Sequence, residues 1–303
     1  MKIFPINARV CFVGDSITHN NGFVSHIVAY YHENQKERNV NFYNCGIAAG
    51  RLATSLTVFD DDIMVHKPTH AVIMLGMNDS SRELLEKERG EDRYKLLSDA
   101  FEEYKENLKK LCDKFISKGV EIILCTPTPY DEYQSSGTKP LCGGFALIGA
   151  YADFVRTFAK EKGYLICDFH TYISRITQSE EVITPDRVHP NELGQFYIAK
   201  YFLSLQGFDL GEIKPFPEYM KKWQSNVKIL RDIRAAEHIV VKDYNLSTQE
   251  RIQKTKECIE NKEDRPNREY IEFLARQYIN NKPLQEKLEE ETRYIMEVEF
   301  KKA

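Results

Sequence analysis

Four short stretches of this chain carry residues that could act together on a carbonyl group. Gly14-Asp15-Ser16-Ile17 sets a serine in a tight turn, where its hydroxyl is exposed and its amide faces outward at a helix start. Asp186-Arg187-Val188-His189-Pro190 places a histidine three residues after an aspartate and pins it with a proline. A histidine can take the proton of a serine nucleophile near neutral pH, and a carboxylate on its far nitrogen fixes the tautomer. Gly76-Met77-Asn78-Asp79 offers an amide side chain as a donor, and Asn44-Cys45-Gly46-Ile47-Ala48-Ala49-Gly50 offers backbone N–H groups among small residues. Such donors hold the negative charge that builds on a carbonyl oxygen under attack. Each stretch also has a plainer reading. Gly-Asp-Ser is a common turn, Asn and Asp are common helix caps, and a lone histidine is more often a satisfied polar residue.

The elements around these stretches give them a common address. Short apolar runs at Arg9–Val13, Val40–Tyr43, His70–Leu75, Val120–Cys125 and Tyr164–Cys167 read as strands. Between them lie amphipathic segments at Phe23–Tyr31, Leu52–Ile63, Tyr94–Ser117 and Phe145–Lys162, with a last helix at Asn191–Leu205. This alternation predicts a three-layer α/β/α sandwich around a five-stranded parallel sheet. In such sheets sites form where the carboxyl ends of the strands meet the loops. Ser16, Ala49 or Gly50, and Asn78 each follow a strand, and Asp186 and His189 lie between the fifth strand and the last helix, so the four stretches are expected on one rim.

With those residues in place, the chain resembles the SGNH hydrolase superfamily of GDSL-type esterases and lipases, over roughly residues 8 to 205. The resemblance implies a flavodoxin-like sheet and a serine ester hydrolase working without metal or cofactor. Ser16 would be the nucleophile, His189 the base and Asp186 the orienting acid. The oxyanion donors would be the Ser16 amide, the Asn78 side chain and a backbone amide of the second block. There the family's glycine is replaced by Ala49, with Gly50 one step on. Alanine can serve if its φ is negative; at positive φ it is strained, and Gly50 is the alternative donor. The substrate class implied is a short acyl ester, an acetyl group on a carbohydrate foremost. An acyltransferase with the same triad, or a binding protein that has lost turnover, are the rival readings.

Other residues receive weaker assignments. Asp15, Arg82, Tyr130 and Tyr133 are candidate substrate contacts, the tyrosines because the long loop from Thr126 to Gly149 leaves the active end of a strand. Asp168 and His170 form a rival acid/base pair. His19 is expected at the surface or behind the site. His66 and His70 have metal-like spacing, but Pro68 breaks the helix that would align them. Asp60-Asp61-Asp62 reads as a solvated helix end, so no metal site is expected.

Composition bounds the remainder. The 303 residues are 42% hydrophobic and 29% charged, with a net charge of −4 and a mean hydropathy of −0.50. That balance argues against a nucleic-acid partner. The longest uncharged apolar stretch, Pro140–Ala152, falls short of the ~20 residues a membrane span needs. Lysine and arginine occur before any long apolar run at the start, so no secretory signal is expected. Scattered, unpaired cysteines suit a reducing cytoplasm. The division expected is a hydrolase domain over residues 1–206 and a connector with helical extension over 207–303. In the latter, Ser247–Glu250 reads as a capping box, and Pro266 and Pro283 as helix starts. The stripes Tyr270/Leu274/Tyr278 and Leu284/Leu288/Ile295 need a surface to pack on, either the core or a second subunit.

Overall fold

Strand β1 (Arg9–Gly14) is apolar on both faces because it lies inside the sheet: Val10 through Val13 are fully buried. The computed structural model describes residues 1–87, 91–134, 138–178, 182–240 and 282–300. The chain divides into two compact units, Met1–Pro215 and Phe216–Ala303.

In the first unit β1 leads into α1 (Ser16–His19) and α2 (Gly22–Asn34), then β2 (Asn41–Gly46) and α3 (Leu52–Thr57). Next come β3 (His70–Met74), α4 (Leu84–Lys87), α5 (Glu91–Ser117) and β4 (Glu121–Cys125). The unit closes with α6 (Gly144–Lys162), β5 (Leu165–Cys167), α7 (Phe169–Thr177) and α8 (Glu192–Ser204). All neighbouring strands are parallel, in the order β2-β1-β3-β4-β5, which is the flavodoxin-like arrangement. The chain reverses its winding direction between β1 and β3, and the register brings Gly14, Gly46, Met74, Cys125 and Cys167 level at the carboxyl edge.

Alternate residues of each strand face different helices. Cys11 and Val13 share a core with Leu108, Leu111 and Phe115 of α5 and with Tyr151, Val155 and Phe158 of α6. Phe12 points the other way, against Phe23 of α2 (5.7 Å) and Phe202 of α8 (5.9 Å). The start of the chain closes this second layer. Phe4 is buried beside Phe42 and Phe202, the Met1 ammonium donates to Leu205 O (2.6 Å), and Gln206 Nε2 donates to Lys2 O (3.4 Å).

The helix expected over Leu52–Ile63 ends at Thr57 and is followed by a π-helical turn over Phe59–Ile63. Helix α7 was not expected from the sequence. Asp168 caps it by accepting from Thr171 N (3.2 Å), and Phe169 and Ile173 are buried.

In the second unit, α9 (Glu218–Val240) and α10 (Lys282–Tyr294) pack on each other. Phe300 lies against Tyr219 (5.6 Å) and Trp223 (6.1 Å). Leu288 and Ile295 of the expected stripe are buried, and Pro283 occupies the first turn of α10. The expected capping box at Ser247, Pro266 and the Tyr270 stripe lie outside the described residues. Among those described, no helix is long and apolar enough to cross a membrane.

Candidate active site

Ser16 is the first residue of α1, immediately after the bend that ends β1. Two glycines make that bend feasible. A side chain at Gly14 would collide with Thr18 and come within 3.0 Å of Met74 O, and one at Gly46 would press on the backbone of Thr18 and His19. Asp15 caps the helix by accepting from Ile17 N (3.0 Å), which leaves the Ser16 amide at a helix start without an intrahelical acceptor.

The Ser16 hydroxyl lies 2.7 Å from His189 Nε2, across 173 residues of sequence. On the far side of the ring, Nδ1 is 2.5 Å from Asp186 Oδ2. Asp186 Oδ1 in turn accepts from the backbone of Val188 (3.0 Å) and His189 (2.7 Å). Burial alone would raise the Asp186 carboxyl, but these hydrogen bonds from the His189 ring and the two amides outweigh it and hold the group below its ordinary value. An ionised carboxylate on Nδ1–H leaves Nε2 as the acceptor facing the serine. Asn191 steadies the segment from behind, donating from its backbone to Ile183 O (2.8 Å) and capping α8 through Gly194 N (2.9 Å).

The second block forms a turn from Ile47 to Gly50. Gly50 N–H closes it by donating to Ile47 O (2.9 Å), so that amide is already committed. Ala49 sits at φ +57, the left-handed region in which alanine is strained. Thus the strain expected for positive φ is present, yet the alternative donor Gly50 is spent inside the turn, and Ala49 carries the amide outside that bond. Asn78 Nδ2 donates to Gly50 O (3.0 Å), which ties the third block to the second and leaves its other hydrogen available. Asp79 Oδ1 accepts from Leu52 N (2.8 Å), making a second tie to the residue that starts α3.

Next to Ser16 and Asn78 in the chain lie two buried carboxyls, Asp15 and Asp79. Burial pushes Asp15 up to about 6. Burial also pushes Asp79 up to about 7, with the nearby Asp15 adding to the rise. Asp15 is therefore a helix cap in the interior, not the substrate contact expected. Arg82 donates to Met77 O (2.7 Å), with Asn78 Oδ1 at 3.5 Å, so it braces the third block instead of standing free for a substrate.

The two loop tyrosines part company. Tyr130, expected on the substrate side, is only 3% exposed. Its ring packs with Met77, Ile148 and Val188, and its hydroxyl accepts from Leu141 N (2.8 Å). Tyr133 is 78% exposed.

The rival pair does not assemble. Asp168 is held by Arg156 through Nε (2.9 Å) and Nη2 (2.8 Å). Burial would raise its carboxyl, but the arginine and Thr171 bring it down to about 2. The His170 ring packs on Phe145 (5.3 Å) instead. His66 stacks on Tyr43 (4.3 Å), while His70 pairs with Thr69 Oγ1 (2.7 Å), so the two do not converge. Among the described residues no three His, Cys, Asp or Glu side chains gather as a metal site. His19 is buried in α1, so of the two expected positions the surface is excluded and the place behind the site remains. Sequence reasoning passed over Arg187, an arginine inside the Asp-x-x-His run beside a long polar loop; that adjacency was the available signal.

The parallel sheet thus brings a hydroxyl, an imidazole and a carboxylate into one hydrogen-bonded row at its carboxyl edge. The chain belongs to the GDSL-like lipase/acylhydrolase family, whose model matches residues 10–202. A curated relative, an acetylxylan esterase of Geobacillus stearothermophilus, is 24% identical over 220 residues, covering 66% of this chain and 94% of its own. The solved structure of an acetylxylan esterase from that organism superposes with a TM-score of 0.58 at 22% identity, over 71% of this chain and 100% of that one. Its catalytic mutants replace a serine, an aspartate or a histidine by alanine. A gut microbial diltiazem-metabolizing enzyme shares the fold over 99% of this chain and 96% of its own, with a TM-score of 0.84 at 15% identity.

Proposed function

We propose that this esterase hydrolyses short acyl esters, acetyl esters of carbohydrate alcohols foremost, through Ser16, His189 and Asp186. Ser16 Oγ attacks the acyl carbon as His189 Nε2 takes its proton, and Asp186 stabilises the imidazolium through Nδ1–H. The oxygen that gains charge is received by the N–H groups of Ser16 and Ala49 and by Asn78 Nδ2. His189 then protonates the departing alcohol, leaving the acyl group on Ser16. Water, deprotonated by the same imidazole, releases the acid and restores the hydroxyl.

The observation that carries this reading is the unbroken row from Ser16 Oγ through the His189 ring to Asp186, with separations of 2.7 and 2.5 Å. The acetylxylan esterase relative supports the acetyl and carbohydrate parts of it. The test is hydrolysis of p-nitrophenyl acetate and acetylated xylo-oligosaccharides by the purified protein. Ser16→Ala is expected to lower kcat by roughly 10⁴–10⁶-fold and to abolish labelling by a fluorophosphonate. Unchanged turnover in that variant would refute the assignment.

A further inference from the structure

Arg187 stands between the acid and the base, yet its guanidinium serves another part of the chain. It is 4% exposed and donates from Nη1 to the carbonyls of Asp131 (2.9 Å), Glu132 (3.3 Å) and Gln134 (3.0 Å). From Nε and Nη2 it donates to Thr138 O (2.9 and 2.7 Å). The tie is reciprocal, because Asp131 N donates to Arg187 O (2.9 Å) and Thr184 Oγ1 donates to Asp131 Oδ2 (2.8 Å). Arg187 holds φ at +73, a conformation that a long side chain adopts only under constraint. On its other flank the loop is fixed to α6, where Glu132 accepts from Gly143 N (2.9 Å) and Phe145 N (3.1 Å).

Within this anchored backbone the Tyr133 ring is 78% exposed and stands edge-on to Phe145 (5.7 Å). A ring held out on an ordered main chain offers a flat apolar face with little left to freeze on binding. The loop leaves the carboxyl end of β4, on the edge where β1 delivers Ser16. By contrast, the bonds joining Asp186 to His189 are all local to residues 186–189. Slackening the loop therefore acts on where the substrate lies before it acts on the acid/base pair.

We propose that Arg187 is a positioning residue that locks residues 131–134 and Thr138 to the base-bearing segment, so that Tyr133 presents a stacking face to a sugar ring on the alcohol side of the ester. This rests on the ester-hydrolase reading, and its test is a binding measurement that needs no turnover. In a Ser16→Ala background, the Kd of an acetylated methyl xyloside is measured by calorimetry with and without Tyr133→Ala. Loss of one ring contact is expected to weaken binding roughly three- to tenfold, and Tyr133→Phe is expected to restore it.

Arg187→Lys, which keeps the charge but not the fork of donors, is expected to weaken the same binding and to speed hydrogen exchange in residues 131–134. In active protein, Arg187→Lys should raise KM for the xyloside more than for ethyl acetate, which has no ring. Equal Kd values with and without the Tyr133 ring overturn the proposal. So does a folded Arg187→Lys protein in which kcat falls equally on both esters, since that places its role at the base. A xyloside bound through Tyr133 but never cleaved by the wild-type chain overturns the acetyl-carbohydrate substrate of the proposed function, while the stacking contact itself stands.

Discussion

Ala49 keeps its backbone at φ +57 where a glycine would be at ease, because the Ile47–Gly50 turn requires that conformation. Replacing it should relieve the strain: Ala49→Gly is expected to gain ~0.5–1 kcal/mol in chemical denaturation, the relief exceeding the entropy that glycine adds to the unfolded chain. Asn78 has a different burden. Asn78→Ala removes the proposed oxyanion donor and the bond to Gly50 O, and is expected to lower kcat on p-nitrophenyl acetate by roughly 10²–10³-fold. A loss appearing only in KM would remove Asn78 from the oxyanion site. Ser16, Asn78, Asp186 and His189 were legible in the sequence because their candidate roles belong to side chains in short, fixed spacings. The choice between Ala49 and Gly50 was not, since it depends on which amide a turn consumes. Nor was the burial of Tyr130, which is decided by Met77, Ile148 and Val188 arriving from three other segments.

At the scale of elements, β1, β3 and β4 were readable because they are apolar on both faces, and α5 and α6 because their apolar residues recur at helical spacing. Helix α7 was hidden by its own cap: Asp168 and His170 drew attention as an acid/base pair, while the bond that matters locally is Asp168 to Thr171 N. The π-helical turn over Phe59–Ile63 was equally invisible, since its apolar residues keep a helix-like spacing. The meeting of α1 with β2 gives a sharp test. A Cβ at Gly46 would stand 2.8 Å from Thr18 C and push α1, with Ser16 at its head, off the sheet. Gly46→Ala is expected to cost about 1–3 kcal/mol and to lower turnover, read by thermal melting and p-nitrophenyl acetate hydrolysis. An active variant with an unchanged Tm would show that α1 can shift without harm.

For the whole molecule, the buried carboxyls set how stability varies with pH. Asp79 keeps its proton up to about pH 7 when folded and loses it near 3.8 when unfolded. Between those values the folded chain binds more protons, so this group's contribution to stability falls as pH rises. Asp15 acts in the same direction up to about pH 6. Asp168 and Asp186 act oppositely, since their lowered values mean their contribution is lost on acidification. Asp79→Asn removes one titration. The stability difference between variant and wild type, from urea unfolding, is expected to shift by ~2 kcal/mol in the variant's favour between pH 5 and pH 8. A difference independent of pH would mean that Asp79 titrates as an ordinary surface carboxyl does.

The bond from the Met1 ammonium to Leu205 O has a further consequence. Around the sheet unit the backbone makes nearly a closed circuit, with the first residue resting on the end of the last helix. The hydroxyl, the amide donors and the imidazole are therefore stations on a loop, and their order of synthesis matters little to the carbon they would surround. A permuted gene, opened at the exposed Gly119 turn and sealed with a short bridge from the close of α8 to Met1, would deliver the same stations in a new sequence.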